Sequence, residues 1–174
     1  MSDLPLTIPQ VAALLRAGPQ TLRAEADALG NDALRWHPAP GEWCLNEVVG
    51  HLIEAEQRGF AGQIQRILQQ PGRTLPTWEP PEVARQRNDC ERDGLELLSE
   101  FEALREESVR LVAGLQPEQV DLSGDHPQVG ELRIANLLHE WPHHDRNHVR
   151  QALANVQAYV WPHMGNSQRF AEID

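Results

Sequence analysis

Lysine is absent from this chain: all 15 basic residues among its 174 are arginine. Without an ε-amine there is no Schiff-base nucleophile, no pyridoxal-phosphate enzyme and no Walker-type phosphate loop. Cysteine is scarce as well. Cys44 and Cys90 are the only two, too few for a disulfide framework and not a CxxC pair, so neither an oxidising compartment nor a thiolate metal site is expected. Neither cysteine has a histidine and an acid evidently beside it in the sequence, and no GxSxG elbow occurs, which leaves catalysis by a protein nucleophile unsupported. No apolar run approaches the roughly 20 residues that span a bilayer. The first residues, MSDLPLTIPQ, lack the basic stretch and apolar core of a secretory signal, so a cytoplasmic location is expected. The net charge of −11 argues against a nucleic-acid backbone or an anionic membrane as partner, since both are held mainly by clustered Lys and Arg. Sustained alternation of β-branched residues, the mark of a strand, is also missing.

What remains is a chain of single-domain size that glycine and proline divide into four long segments of helical periodicity. The expected class is therefore an all-α four-helix bundle. The first segment covers Ile8 to Leu29, with Gly18-Pro19 either breaking it in two or kinking it. The connector Trp36-His37-Pro38-Ala39-Pro40-Gly41-Glu42-Trp43 cannot be helical through its prolines, and its two tryptophans should hold it against the bundle. Leu45 to Gln69 forms the second helix, with Leu45, Val48, Val49, Leu52, Ala55, Gln63 and Ile67 on one stripe. A proline-rich loop follows. Pro81 to Leu115 reads as one long amphipathic third helix with apolar Leu95, Leu98, Phe101, Leu104, Leu111 and Val112. After a loop from Gly114 to Gly130, the last helix spans Leu132 to Val160 and Trp161-Pro162 stops it.

Eight histidines raise the question of a metal. Within the last helix two pairs have the i, i+4 spacing that lets imidazoles converge: His139 with His143, and His144 with His148. At about 100° per residue, Ile134, Leu137, Leu138, Trp141, Val149, Ala152 and Val156 define the inward face. His144 and His148 fall on its flank and near its centre, whereas His139 and His143 fall opposite and should be solvated. Bundles build metal sites from inward side chains on neighbouring helices. The only histidine inside another predicted helix is His51, beside the apolar stripe of the second, so His51, His144 and His148 are the expected ligands.

Two motifs carry a family resemblance. Pro38-Ala39-Pro40-Gly41-Glu42-Trp43 followed by Glu47-Val48-Val49-Gly50-His51-Leu52 resembles the PGEWS-x-x-E-x-x-x-HL segment of the DinB-like superfamily. Leu137-Leu138, Trp141 and His144-Asp145-Arg146-Asn147-His148-Val149-Arg150-Gln151 are similar to its LL-x-x-W-x-x-HD-x-x-H-x-x-Q helix. His51, His144 and His148 occupy the three ligand positions. The superfamily includes DinB/YfiT-type metal-dependent hydrolases and thiol-dependent S-transferases. The resemblance therefore implies an up-down-down-up four-helix bundle with long connecting loops, and transfer involving a low-molecular-weight thiol cosubstrate. It also implies a homodimer, for which Leu14-Leu15, Trp78 and Trp161 offer apolar surface. Cys44 departs from the family's Ser or Thr and leaves Glu47 to partner the first-turn amides. Pro142 inside the last helix should kink or widen it, and His143 beside His144 is a further oddity.

Three neutral imidazoles suit zinc best, with nickel or ferrous iron as alternatives, and leave a coordination position open as catalytic sites do. Water there gives a hydroxide near neutral pH, and a thiol there is held as thiolate. The sequence does not choose between hydrolysis and S-transfer to a small molecule. Glu47, Asp145 and Gln151 are the nearby polar candidates for base, proton shuttle or orienting partner. The competing class is a non-catalytic scaffold or stress-related binding module in which the metal only pins three helices together.

Overall fold

The computed structural model describes residues 6–172. Helix α1 (Ile8–Leu29) starts where Thr7 and Gln10 cap each other reciprocally, and it runs unbroken through Gly18-Pro19. A proline in a helix interior leaves the carbonyl four residues earlier without a donor. Here that carbonyl belongs to Leu15, and the Arg105 guanidinium fills the vacancy at 2.7 Å. The one-turn α2 (Asn31–Leu34) precedes the Trp36–Trp43 connector, which Trp36 docks edge-on to Tyr159 and Asn155 holds by a hydrogen bond to the Trp43 carbonyl.

The second long segment is continuous, as its periodicity predicts, but it is not uniform. It comprises α3 (Leu45–Glu54), a π-helical segment (Ala55–Phe60) and α4 (Ala61–Gln69). Gly62 permits the π-turn, because a Cβ there would stand 1.9 Å from the Gln57 carbonyl oxygen. At the start of α3 the Cys44 amide donates to Glu47 at 2.8 Å, so the carboxylate does serve the first turn.

The expected third helix is two helices. α5 (Pro80–Arg87) ends at Asn88, whose φ of 52° is left-handed, and α6 (Gly94–Ala113) begins afresh. Asp93 caps α6 by accepting from the Leu95 and Glu96 amides. These stop and cap residues outweigh the continuous charge pattern on which a single helix was expected. Leu95, expected on the apolar stripe, is exposed, and Leu97 takes the interior place.

The glycine-rich loop before the last helix holds a departure from the all-α expectation. Strands β1 (Ser123–His126) and β2 (Gly130–Arg133) form a short antiparallel hairpin. Thr74 bridges to Asp125, so the hairpin fixes the loop that carries Trp78. α7 (Ile134–Val160) then runs without interruption through Pro142. The fold is the expected four-helix bundle. α1 packs on α6 and α7, and α3 packs on the same two helices, so α1 and α3 occupy opposite corners.

Two apolar clusters fill the bundle. One gathers Leu15, Phe60, Ile64, Val109, Ile134, Leu138 and Trp141; the other gathers Leu22, Leu52, Ile53, Leu98, Phe101, Val149 and Ala152. Leu15 is thus core, not spare surface for a dimer as the sequence suggested. Arg105 lies between the clusters, with its guanidinium 4.8 Å from the Phe101 ring centre and 5.7 Å from that of Trp141.

Gly50 is a point of close approach. A Cβ there would meet Asp89 Oδ2 at 1.8 Å, and buried Asp89 holds both Arg87 and Arg92. Gly50→Ala is therefore expected to lower stability by about 1–3 kcal/mol, read as a drop in Tm; an unchanged Tm would show that this corner yields freely.

Candidate metal centre

His51 sits on α3, two turns in from Cys44, and His144 and His148 sit one turn apart on α7. The packing of α3 on α7 brings all three together, with one ring nitrogen from each inside a sphere whose members are no more than 4.8 Å apart. His51 Nε2 and His144 Nε2 are 3.1 Å apart. Two nitrogens each about 2.1 Å from a common ion at a tetrahedral angle stand roughly 3.4 Å apart, so the spacing fits a bound divalent metal. The donor chemistry fits too. Burial, reinforced by the neighbouring imidazoles, pushes His51 down to about 3 and His144 down to about 4. Burial also lowers His148. All three are neutral at physiological pH, with lone pairs available for a cation.

Aromatic rings enclose the group. Trp43 lies 5.2 Å from His51 and 6.4 Å from His148, Trp78 stacks on His51 at 5.8 Å, and Phe60 meets His144 edge-on at 5.2 Å. Trp78 therefore walls the site, where the sequence placed it on a dimer surface. His148 Nδ1 is 3.0 Å from Gln151 Oε1; donating its proton there leaves Nε2 as the free acceptor, the usual arrangement behind a ligating imidazole.

Beside His51 and His144 opens a cleft of about 200 Å³ whose walls include Phe60, Trp78 and Leu137 and whose polar groups are Gln63, His126 and Glu140. Its lining joins residues of α4 and α7 to the π-segment, the loop at Trp78 and the β-hairpin, an assembly that periodicity within one segment has no means of showing.

The three polar candidates separate. Gln151 stands behind His148. Glu47 caps the first turn of α3 by accepting from the Cys44 amide and belongs to the group with His37 and the two cysteines, not to the three imidazoles. Asp145, on the apolar side of its helix as the wheel placed it, is paired with Arg105. Arg105 also binds Glu56, which in turn accepts from Ser108 and from the Trp141 indole. This layer was missed, although its signal was present: Phe101, Arg105, Ser108 and Val112 share a stripe, and an arginine within an apolar stripe needs a buried partner. Burial pushes the Glu56 and Asp145 carboxyls up, and the guanidinium opposes that rise.

His143 is exposed, as expected. His139 is not solvated as the wheel suggested: it is half-buried, with Nδ1 2.8 Å from the Ala135 carbonyl of its own helix. The expectation of isolated cysteines is corrected as well. Cys90 Sγ lies 3.2 Å from His37 Nε2, and Cys44 and Glu47 complete the group. Loop packing, which spacing cannot reveal, brings the four together. Burial pushes both thiols up, so they remain neutral and a thiolate nucleophile stays unsupported.

A helical bundle with three neutral imidazoles converging beside a small cleft defines a class of candidate metal-site proteins. The profile of the DinB superfamily matches residues 14–152, and the chain belongs to that superfamily. It is 24% identical over 139 residues to the uncharacterized protein YuaE of Bacillus subtilis strain 168, covering 73% of this chain and 85% of that protein. Its fold is similar to that of YfiT from Bacillus subtilis, with a TM-score of 0.80 at 15% identity over 92% of this chain and 94% of YfiT. YfiT is described as a probable metal-dependent hydrolase with an unusual four-helix bundle topology. Among the described residues no helix is long and apolar enough to cross a membrane.

Proposed function

We propose that this protein is a metal-dependent enzyme that acts on a small molecule, with His51, His144 and His148 as the ligands of one divalent ion, zinc in the first instance. The observation that carries the reading is the convergence of three neutral imidazoles on the wall of a cleft. When bound, such an ion supplies Lewis acidity and holds a water or thiol in its deprotonated form. The chain's own residues do the rest. Gln151 fixes the His148 ring, Trp43 and Trp78 shield the imidazoles from bulk water, and Phe60 and Leu137 give the cleft an apolar wall. Glu140 and His126, in the same cleft, are the groups able to take the proton released by the nucleophile.

The nucleophile defines the reaction: water gives hydrolysis, and a low-molecular-weight thiol gives S-transfer to an electrophile. A purely structural metal is less well supported, since the three ligands come from two helices, not three, and a cleft adjoins them. A cytoplasmic site of action and a homodimer accompany the proposal.

Elemental analysis of untagged protein tests it. His148→Ala is expected to lose about one equivalent of metal relative to wild type, and the exposed His143→Ala to lose none. Gln151→Leu should keep the fold but bind metal about 10–100-fold more weakly. Loaded protein should consume a small electrophile in the presence of thiol or water, and His148→Ala should not. Equal metal content in wild type and His148→Ala would refute the ligand assignment.

A further inference from the structure

We propose a second, structural zinc site in this protein, formed by Cys44, Cys90, His37 and Glu47. These four side chains each place one ligand atom within 4.8 Å of the others, and they come from three separate stretches of chain. His37 lies in the connector after α2, Cys44 and Glu47 in the first turn of α3, and Cys90 in the 3₁₀ turn (Asp89–Glu91) that joins α5 to α6. Two sulfurs, one imidazole and one carboxylate make a closed four-ligand set of the kind that selects zinc.

The details agree with coordination. His37 Nδ1 is 2.8 Å from the Glu42 carbonyl. Its proton is held there, which leaves the Nε2 lone pair facing Cys90 Sγ at 3.2 Å. A backbone carbonyl behind a ring nitrogen is the ordinary support of a ligating histidine. In a tetrahedral zinc site a nitrogen at about 2.0 Å and a sulfur at about 2.3 Å from the ion stand roughly 3.5 Å apart, close to the observed spacing. Glu47 spends one carboxylate oxygen on the Cys44 amide, and its other oxygen is available to the ion. Cys44 is fully buried while the His37 side chain is 47% exposed, so the site has a closed floor and an open entrance for the metal.

Binding exchanges two thiol protons for one ion: both cysteines ligate as thiolates, and two protons pass to solvent. The consequence is mechanical. Zinc would staple the connector and the α5–α6 corner to the start of α3, and so fix Trp43, which adjoins Cys44 and packs on both His51 and His148. The two groups share no side chain: Glu47, the member nearest to His51 along α3, precedes it by four residues, a rise of roughly 6 Å, so each site can be removed by its own substitution.

Cobalt(II) and zinc titration of the full untagged chain under reducing conditions tests the inference. Wild type is expected to develop the thiolate-to-cobalt charge-transfer absorption of a tetrahedral sulfur site, which zinc then abolishes. His148→Ala should keep that absorption in full; Cys90→Ser should lose it, and His37→Ala should weaken it. Circular dichroism of Cys90→Ser, in which a half-buried thiol becomes a hydroxyl, checks that the helices persist. Zinc should raise the Tm of wild type more than that of Cys90→Ser, which keeps only the His51, His144 and His148 group. Absence of thiolate absorption in wild type, or its survival in Cys90→Ser, would overturn the second site while leaving the His51, His144 and His148 proposal untouched.

Discussion

Arg105→Ala is expected to cost about 3–5 kcal/mol of folding stability. Arg105 is 1% exposed and pairs with two buried carboxylates, Glu56 and Asp145. Its removal leaves both anions without a partner and reopens the Leu15 carbonyl that Pro19 left bare. It also deletes the group spanning the two apolar clusters through Phe101 and Trp141. Urea denaturation measures the effect. Combining Arg105→Ala with Asp145→Asn should cost less than the sum of the two single changes, because fewer buried charges are left unpaired. A single-variant loss below about 1 kcal/mol would mean that water reaches this layer and screens it. The site would feel the change as well, since Asp145 follows His144 directly on α7.

Acid is expected to destabilise the metal-free protein well before ordinary carboxylates titrate. In the unfolded chain an imidazole titrates near 6.5, whereas burial holds His51 down to about 3 and His144 down to about 4. Between those values the unfolded chain binds protons that the folded chain refuses. The stabilisation from keeping these rings neutral is therefore complete above about pH 6.5 and is lost progressively as the pH falls toward 4 and then 3. The combined loss is on the order of a few kcal/mol by about pH 4. Glu56 and Asp145, raised by burial, act with the opposite sign as the pH falls toward the ordinary carboxylate range and offset part of the loss. Denaturation at a series of pH values checks this: the slope between about 6.5 and 4 should flatten in His51→Asn. A wild-type slope already flat there would show that the imidazoles are hydrated and titrate normally.

Much of this molecule was legible in its sequence. The apolar stripes of Leu45–Ile67 and Ile134–Ala152 placed two helices and their buried faces, because a 3.6-residue period repeats whatever the helix packs against. The same angular rule separated His144 and His148 from exposed His143. It failed for His139, whose burial depends on what covers that flank of α7. The third helix was misread for a different reason. Its charge pattern continues across the break, and the local signals at Asn88 and Asp93 decided the matter.

The sequence by itself determined the class of fold, the helix carrying two of the converging histidines, and the absence of lysine chemistry. All of these are properties of single segments or of composition. Only the tertiary structure decided which groups meet across segments: His51 with His144, Arg105 with Glu56 and Asp145, Trp78 with His51, and Cys44 with Cys90 and His37. The physical reason is that periodicity fixes the direction of a side chain about its own helix axis. The partner it reaches depends on how far the packed helices and the loops between them bring other side chains into that direction.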